Sequence, residues 1–337
     1  MSRNNISPSG RNAGKRINIE PGIQSTYDDL IKAADRNNHW AKIAVKMIHG
    51  MSSERDNSQY VYIRPGPIVT RGREEFFVTL PGCKATIERR SNDQYYLMDL
   101  TFDDTYSEIN NLTQATGLHK AKKSDGNNDW GSTFYKNGQT DASGNGIRIA
   151  AITDGNHEDA EKAAQTIAAS IGKAPDAPSE KNFTEMDVHY THGTGKHGGL
   201  LNRKMAINPL NNDKIHGSAI LLAKSMMSAK DKNITWVSEK GGSAVLTQAL
   251  EIVSNNNVRL EKHNVFLYDP TTSTNQALQA ARRAGIELDR YAVHTGIFNP
   301  MGNSGQLTML YNRVKSDKDY TRGNAAFDLA SHVGKYV

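Results

Sequence analysis

The residues best placed to do chemistry lie in one stretch, Ile234-Thr235-Trp236-Val237-Ser238-Glu239-Lys240-Gly241-Gly242-Ser243-Ala244-Val245. An apolar strand runs into a sharp turn with paired glycines, and an amphipathic helix follows through Ile252. A strained strand-to-helix turn of this kind holds a reactive side chain above the C-terminal edge of a parallel sheet. It needs small residues two before and two after that side chain. Alignment on the glycine pair puts Glu239 in the reactive slot, where a serine is expected. A carboxylate there can act as nucleophile or general base. It cannot replace a serine alkoxide in ordinary ester hydrolysis, because the acyl product would be an anhydride. Three alternatives stay open: the chemistry is lost, Glu239 performs it, or the register is shifted and Ser238 or Ser243 attacks. Ser238 has bulky Trp236 two residues before it, and Ser243 falls in the first helical turn, where a hydroxyl more often caps than reacts.

Other candidates gather in the same half of the chain. A strand over residues 187–191 runs into His192-Gly193-Thr194-Gly195, a turn that could supply a backbone N–H to an oxyanion. A metal site at His189, His192 and His197 would want more carboxylate or cysteine help nearby, so no metal and no cofactor is expected. Gly195-Lys196 lacks the earlier glycine and the following Ser/Thr of a phosphate loop. Near the chain end, Asp317, Asp319 and His332 follow a strand expected over 306–312, in the order nucleophile, acid, base.

The elements that must position these residues form two rhythms. Residues 1–24 are rich in Asn, Ser, Gly and Arg and read as a disordered tail. Over residues 25–171, a helix at 27–51 precedes strands at 60–64, 75–80, 84–89, 94–102, 117–122, 132–135 and 146–153, and a helix follows at 158–171. This predicts an α+β module. A polar, proline-containing stretch at 172–182 reads as a linker. From 183 to 337, strands at 187–191, 234–237, 264–268 and 290–294 alternate with helices at 217–229, 242–254 and 273–284, and a last helix ends at 333. Alternating strands and helices predict a parallel sheet covered on both faces, an α/β fold.

Composition narrows the classes. The 337-residue chain has a net charge of +5 from 41 basic and 36 acidic residues, which are scattered and argue against a nucleic-acid partner. Mean hydropathy is −0.64. No stretch approaches the roughly 18 apolar residues of a membrane span, and the N-terminus has no apolar segment of a secretory signal. The single cysteine, Cys83, excludes an intrachain disulfide and fits folding in a reducing cytoplasm, with later delivery by a specialised secretion machine still open.

Residues 187–337 resemble the lipase-type α/β-hydrolases found among bacterial secreted effectors. His192-Gly193, the strand–turn–helix around Glu239 and Gly241-Gly242, Asp317 or Asp319, and His332 carry the likeness. The chain departs from that pattern in having no G-x-S-x-G anywhere. The resemblance implies a catalytic set of Glu239, His332 and Asp317 or Asp319, with Ser243 as alternative nucleophile. His192, Gly193 and Lys240 would line the oxyanion pocket. It implies a bacterial effector or toxin-like protein with an atypical lipase-like domain, acting on a lipid or ester. The rival expectation is a non-catalytic interaction protein that grips a protein partner through the degenerate pocket or the β-rich module. A nucleic-acid-acting toxin is the weaker alternative.

Overall fold

The computed structural model describes residues 5–6, 17–52, 62–63, 68–70, 73–91, 94–103, 112–124, 129–141, 147–172, 184–199, 202–289, 291–296, 299–316 and 319–333. The described residues contain two seven-stranded sheets.

The first sheet holds β1 (Asn5–Ile6), β2 (Ile17–Ile19), β3 (Tyr62–Ile63), β4 (Ile68–Thr70), β5 (Arg73–Leu80), β6 (Cys83–Arg89) and β7 (Tyr95–Phe102). Its order is β1-β2-β7-β6-β5-β3, with β4 also on β5. Its pairs are antiparallel apart from β2 on β7. The helix expected over 27–51 is two helices, α1 (Gln24–Asp35) and α2 (His39–Ser52), broken where Asn37 adopts a left-handed φ of 66°. Their apolar stripes, including Tyr27, Leu30, Ala44 and Ile48, meet Val78, Leu80, Ile87 and Leu97 on one sheet face. The expected disordered tail is corrected at its end. Ile17 is fully buried and β2 pairs with β7, so two isoleucines of a polar segment suffice to dock it. Residues 1–4 and 7–16 lie outside the described residues.

The second sheet holds β8 (Gly117–Lys123), β9 (Trp130–Phe134), β10 (Arg148–Ile152), β11 (Glu185–Tyr190), β12 (Ile234–Glu239), β13 (His263–Tyr268) and β14 (Val293–His294), in the order β14-β13-β12-β10-β11-β8-β9. Strands β10 to β14 are all parallel. The four strands expected to be parallel are so, with β10 inserted between β11 and β12. This is an α/β fold, as the alternation predicts. Helix α3 (Ala160–Ile171) covers one face, packing Ala163, Ala164 and Ile167 near Val188, Tyr190, Val237 and Phe266. The opposite face carries α5 (His216–Ser228), α6 (Gly242–Asn255) and α7 (Thr274–Arg283), with Ala150, Ile152, Trp236 and Leu267 beneath them. A short α4 (Arg203–Ile207) lies in the β11–α5 connection, and α8 (Ser304–Ser316) and α9 (Arg322–Val333) follow β14.

Two expectations change here. Strands β8, β9 and β10, expected in the first module, belong to the second sheet. The expected linker therefore falls inside that sheet's own β10–α3–β11 unit. Residues 173–183, nearly all of it, lie outside the described residues. The strand expected over 306–312 is part of α8. Its alternation of Leu307, Met309 and Tyr311 is also compatible with a helix, and tertiary context decides such short runs. Helix α5 explains why the two sheets share one core. Ile220, Leu221, Leu222 and Met226 are buried on different sides of it, as in a helix enclosed by neighbours. It contacts both β5 and β8, and Ser225 Oγ donates to the Gly138 carbonyl at 2.6 Å.

Candidate functional site

Taken in chain order, the five parallel strands are arranged 2-1-3-4-5. In open sheets of this order, ligands bind outside the carboxyl ends of the strands where the winding reverses. That point lies between β10 and β12, so the loops after Ile152 and after Glu239 frame the crevice.

The loops there interlock. Gly155, after β10, forms an isolated bridge with Gly195, after β11. Thr271, after β13, donates its hydroxyl to the His197 carbonyl at 2.5 Å, and the Gly199 N–H donates to the Thr271 carbonyl at 2.8 Å. Gly242 begins α6 so close to β10 that a Cβ would stand 2.2 Å from the Ile152 carbonyl oxygen. A Cβ on Gly241 would meet Asp154 Oδ2 at 2.4 Å. The glycine pair therefore lets the helix start pass over the end of β10.

The turn itself corrects the sequence register. The non-glycine residue in the left-handed region is Lys240, with φ 44°. Ser238 lies two before it and Gly242 two after it, which meets the small-residue requirement on both sides. Lys240, not Glu239, occupies the slot. Its backbone is pinned: its N–H donates to the Tyr268 carbonyl at 3.0 Å, and its carbonyl accepts from Thr271 N at 3.2 Å and Ser243 Oγ at 2.7 Å. Its side chain is 54 % exposed, with Nζ 3.4 Å from Glu239 Oε1. Strain of this kind persists where surrounding contacts over-determine the backbone, often at functional sites.

Glu239 is buried on the α3 face and accepts from Ser170 Oγ at 3.5 Å. Its neighbour Asp154 is also buried and accepts N–H bonds from Asn156, at 3.2 Å, and from His197. Burial holds the Asp154 carboxyl above its usual range, and the Glu239 charge adds to this against those two N–H donors. Asp154 was missed in the sequence because its strand was assigned to the other module, while His197 was considered only as a metal ligand. The signal was Asp154-Gly155-Asn156 directly after a strand.

Compared with known proteins, the chain matches no family model, no curated protein and no solved structure.

The remaining candidates divide. Ser243 Oγ donates to the Lys240 carbonyl and shares a 2.6 Å hydrogen bond with Thr272 Oγ1, so it closes the turn. Ser238 is fully buried on the α5–α6 face. The His192 N–H donates to Thr116 Oγ1 at 2.9 Å and is spent as an oxyanion donor, while its ring meets the Tyr190 hydroxyl at 3.2 Å. Gly193 is exposed, with φ 67°. His189 and His197 bond to Ser218 and Thr194 respectively, so the three histidines serve separate partners. Among the described residues no group of three or more His, Cys, Asp or Glu could hold a metal ion, and no helix is long and apolar enough to cross a membrane. Asp319 is exposed ahead of α9. Asp317 and the His332 side chain lie outside the described residues. With residues 306–312 helical, the expected arrangement of acid and base after a last strand at that position does not stand as drawn.

Proposed function

We propose that the second sheet is a hydrolase-like scaffold in which the strained turn serves recognition and not serine chemistry, within a bacterial effector or toxin-like protein. The observation that supports this is the identity of the residue at the left-handed position, Lys240, with neither flanking serine free to attack. A half-exposed ammonium there, at the start of a 14-residue helix, suits an anionic group on a ligand or protein partner. Placement in an effector rests on the resemblance in residues 187–337 alone.

The test is direct. Purified protein is treated with a fluorophosphonate probe and with short p-nitrophenyl esters, both of which need an activated hydroxyl. No labelling and no turnover are expected. Labelling at Ser238 or Ser243 would overturn the proposal.

A second function has its own observation. Asp154, held above its usual range by burial and by the charge of the buried Glu239, is a carboxyl suited to act as a general acid. If a hydrolytic activity is found, Asp154→Asn and Glu239→Gln should each abolish it while Ser243→Ala leaves it measurable.

A further inference from the structure

Thr194 stands at the end of a chain of hydrogen bonds whose direction is fixed. The Lys214 N–H donates to Asn212 Oδ1 at 3.3 Å, which turns the amide nitrogen Nδ2 toward His197 Nδ1, 3.5 Å away. An amide nitrogen only donates, so Nδ1 is the bare nitrogen of the ring and Nε2 carries the proton. His197 Nε2 lies 2.9 Å from Thr194 Oγ1 and donates to it. The ring is buried, and burial, with the Lys214 charge adding to it, keeps it neutral, down to about 4. Thr194 Oγ1 therefore accepts from His197, and its own O–H is left to donate. Among the described residues no acceptor meets that proton.

The space beside the hydroxyl is open on one side. Thr194 is half-buried between Gly193 and Gly195, whose φ values are 67° and 69° and which put no side chain on either flank. A Cβ on Gly195 would meet nothing within 4 Å. On the inner side Thr194 rests on the loop after β10, where a Cβ on Gly155 would stand 2.4 Å from Oγ1. The loop after β12 closes on the same place: a Cβ on Gly241, next to Lys240, would stand 2.9 Å from the His197 carbonyl oxygen. The carboxylates beneath are engaged by other donors. Asp154 accepts the Asn156 and His197 N–H groups, and Glu239 meets Ser170 and Lys240 through Oε1. Burial also holds Asp154 above its usual range, which lowers the negative charge opposing an anion.

We propose that Thr194, its donor direction set by Asn212 and His197, joins Lys240 in binding a tetrahedral oxyanion of the phosphate class in the crevice. This rests on the reading of Lys240 as a recognition residue. A hydroxyl proton and an ammonium presented from two loops suit separate oxygens of one anion, and hydrogen bonds to a charged acceptor are the strong ones. An apolar or cationic group there would leave the hydroxyl proton unpaired.

Isothermal titration calorimetry of the full chain with inorganic phosphate tests this, with acetate as the comparison. The wild type should bind phosphate saturably and acetate far more weakly. Thr194→Val should weaken phosphate binding by about 10-fold, while Thr194→Ser, which keeps the hydroxyl, stays near wild type. Lys240→Met should weaken it as well. Nitrogen-15 NMR of the wild-type His197 ring, assigned by its loss in His197→Asn, should place the proton on Nε2, a readout that does not depend on how well Thr194→Val folds. Phosphate binding that needs Lys240 but not Thr194 overturns this inference and leaves the Lys240 reading standing. Binding indifferent to Lys240→Met overturns both. No saturable phosphate binding, equal binding of acetate, or a proton on Nδ1 overturns the inference alone.

Discussion

The two sheets handle polar groups in opposite ways. The first keeps its charged pairs within reach of water: buried Glu88 is covered by Arg73 and Arg90, and Glu74 pairs with Arg89 at the surface. Its core side is apolar, as in an antiparallel sheet with one wet face. The second sheet is covered on both faces and still buries Asp187, His189, Ser238 and Glu239 along its strands. Each such group needs a partner to offset its desolvation. The first sheet carries packing with its charged pairs near water, while the second tolerates costly polar burial within its strands.

The largest expected effect probes that contrast. Asp187 is fully buried and takes a two-pronged contact from Arg148, 2.6 Å from Nη2 and 3.2 Å from Nε, plus the Tyr135 hydroxyl at 2.9 Å. Asp187→Ala leaves Arg148 largely buried with one partner fewer and should cost about 3 kcal/mol in urea unfolding. Glu88→Ala, whose arginine partners reach water, should cost about 1 kcal/mol. Equal losses would erase the distinction between the sheets.

A smaller effect is expected at the helix start. Gly242→Ala drives a Cβ into the Ile152 backbone and should cost about 2 kcal/mol, because the obstacle is main chain and cannot rotate away. The smallest is Ser243→Ala, about 1 kcal/mol for the lost bonds to the Lys240 carbonyl and Thr272. A much larger loss there would mean that the hydroxyl alone holds Lys240 in its left-handed conformation.

Local pattern made much of the fold legible. Strands β5, β6 and β7 and the alternation from β11 to α7 follow from period-two and period-3.6 spacing with clear turn chemistry between them. The site was legible only as a neighbourhood. Val237-x-Glu239-x-Gly241 departs from small flanks at Val237, whereas Ser238-x-Lys240-x-Gly242 has small residues on both sides. What identifies Lys240 is its left-handed backbone, φ 44°, set in a turn whose Gly242 packs over the Ile152 carbonyl, a residue 90 positions away.

The sequence by itself determined most of the longer strands and helices, that a strand, a glycine pair and a helix form a tight turn, and that no G-x-S-x-G is present. These properties are local, set by side-chain period, backbone freedom and residue identity. Only the tertiary structure decided that β10 lies between β11 and β12, that β8 and β9 extend the same sheet, and that Asp154 stands beside Glu239. Strand order is a matter of non-local pairing, and spacing along the chain carries no information on which edges meet. It also decided that residues 306–312 are helical and that Ile17 docks a polar tail, since short apolar runs take the structure of the surface that buries them.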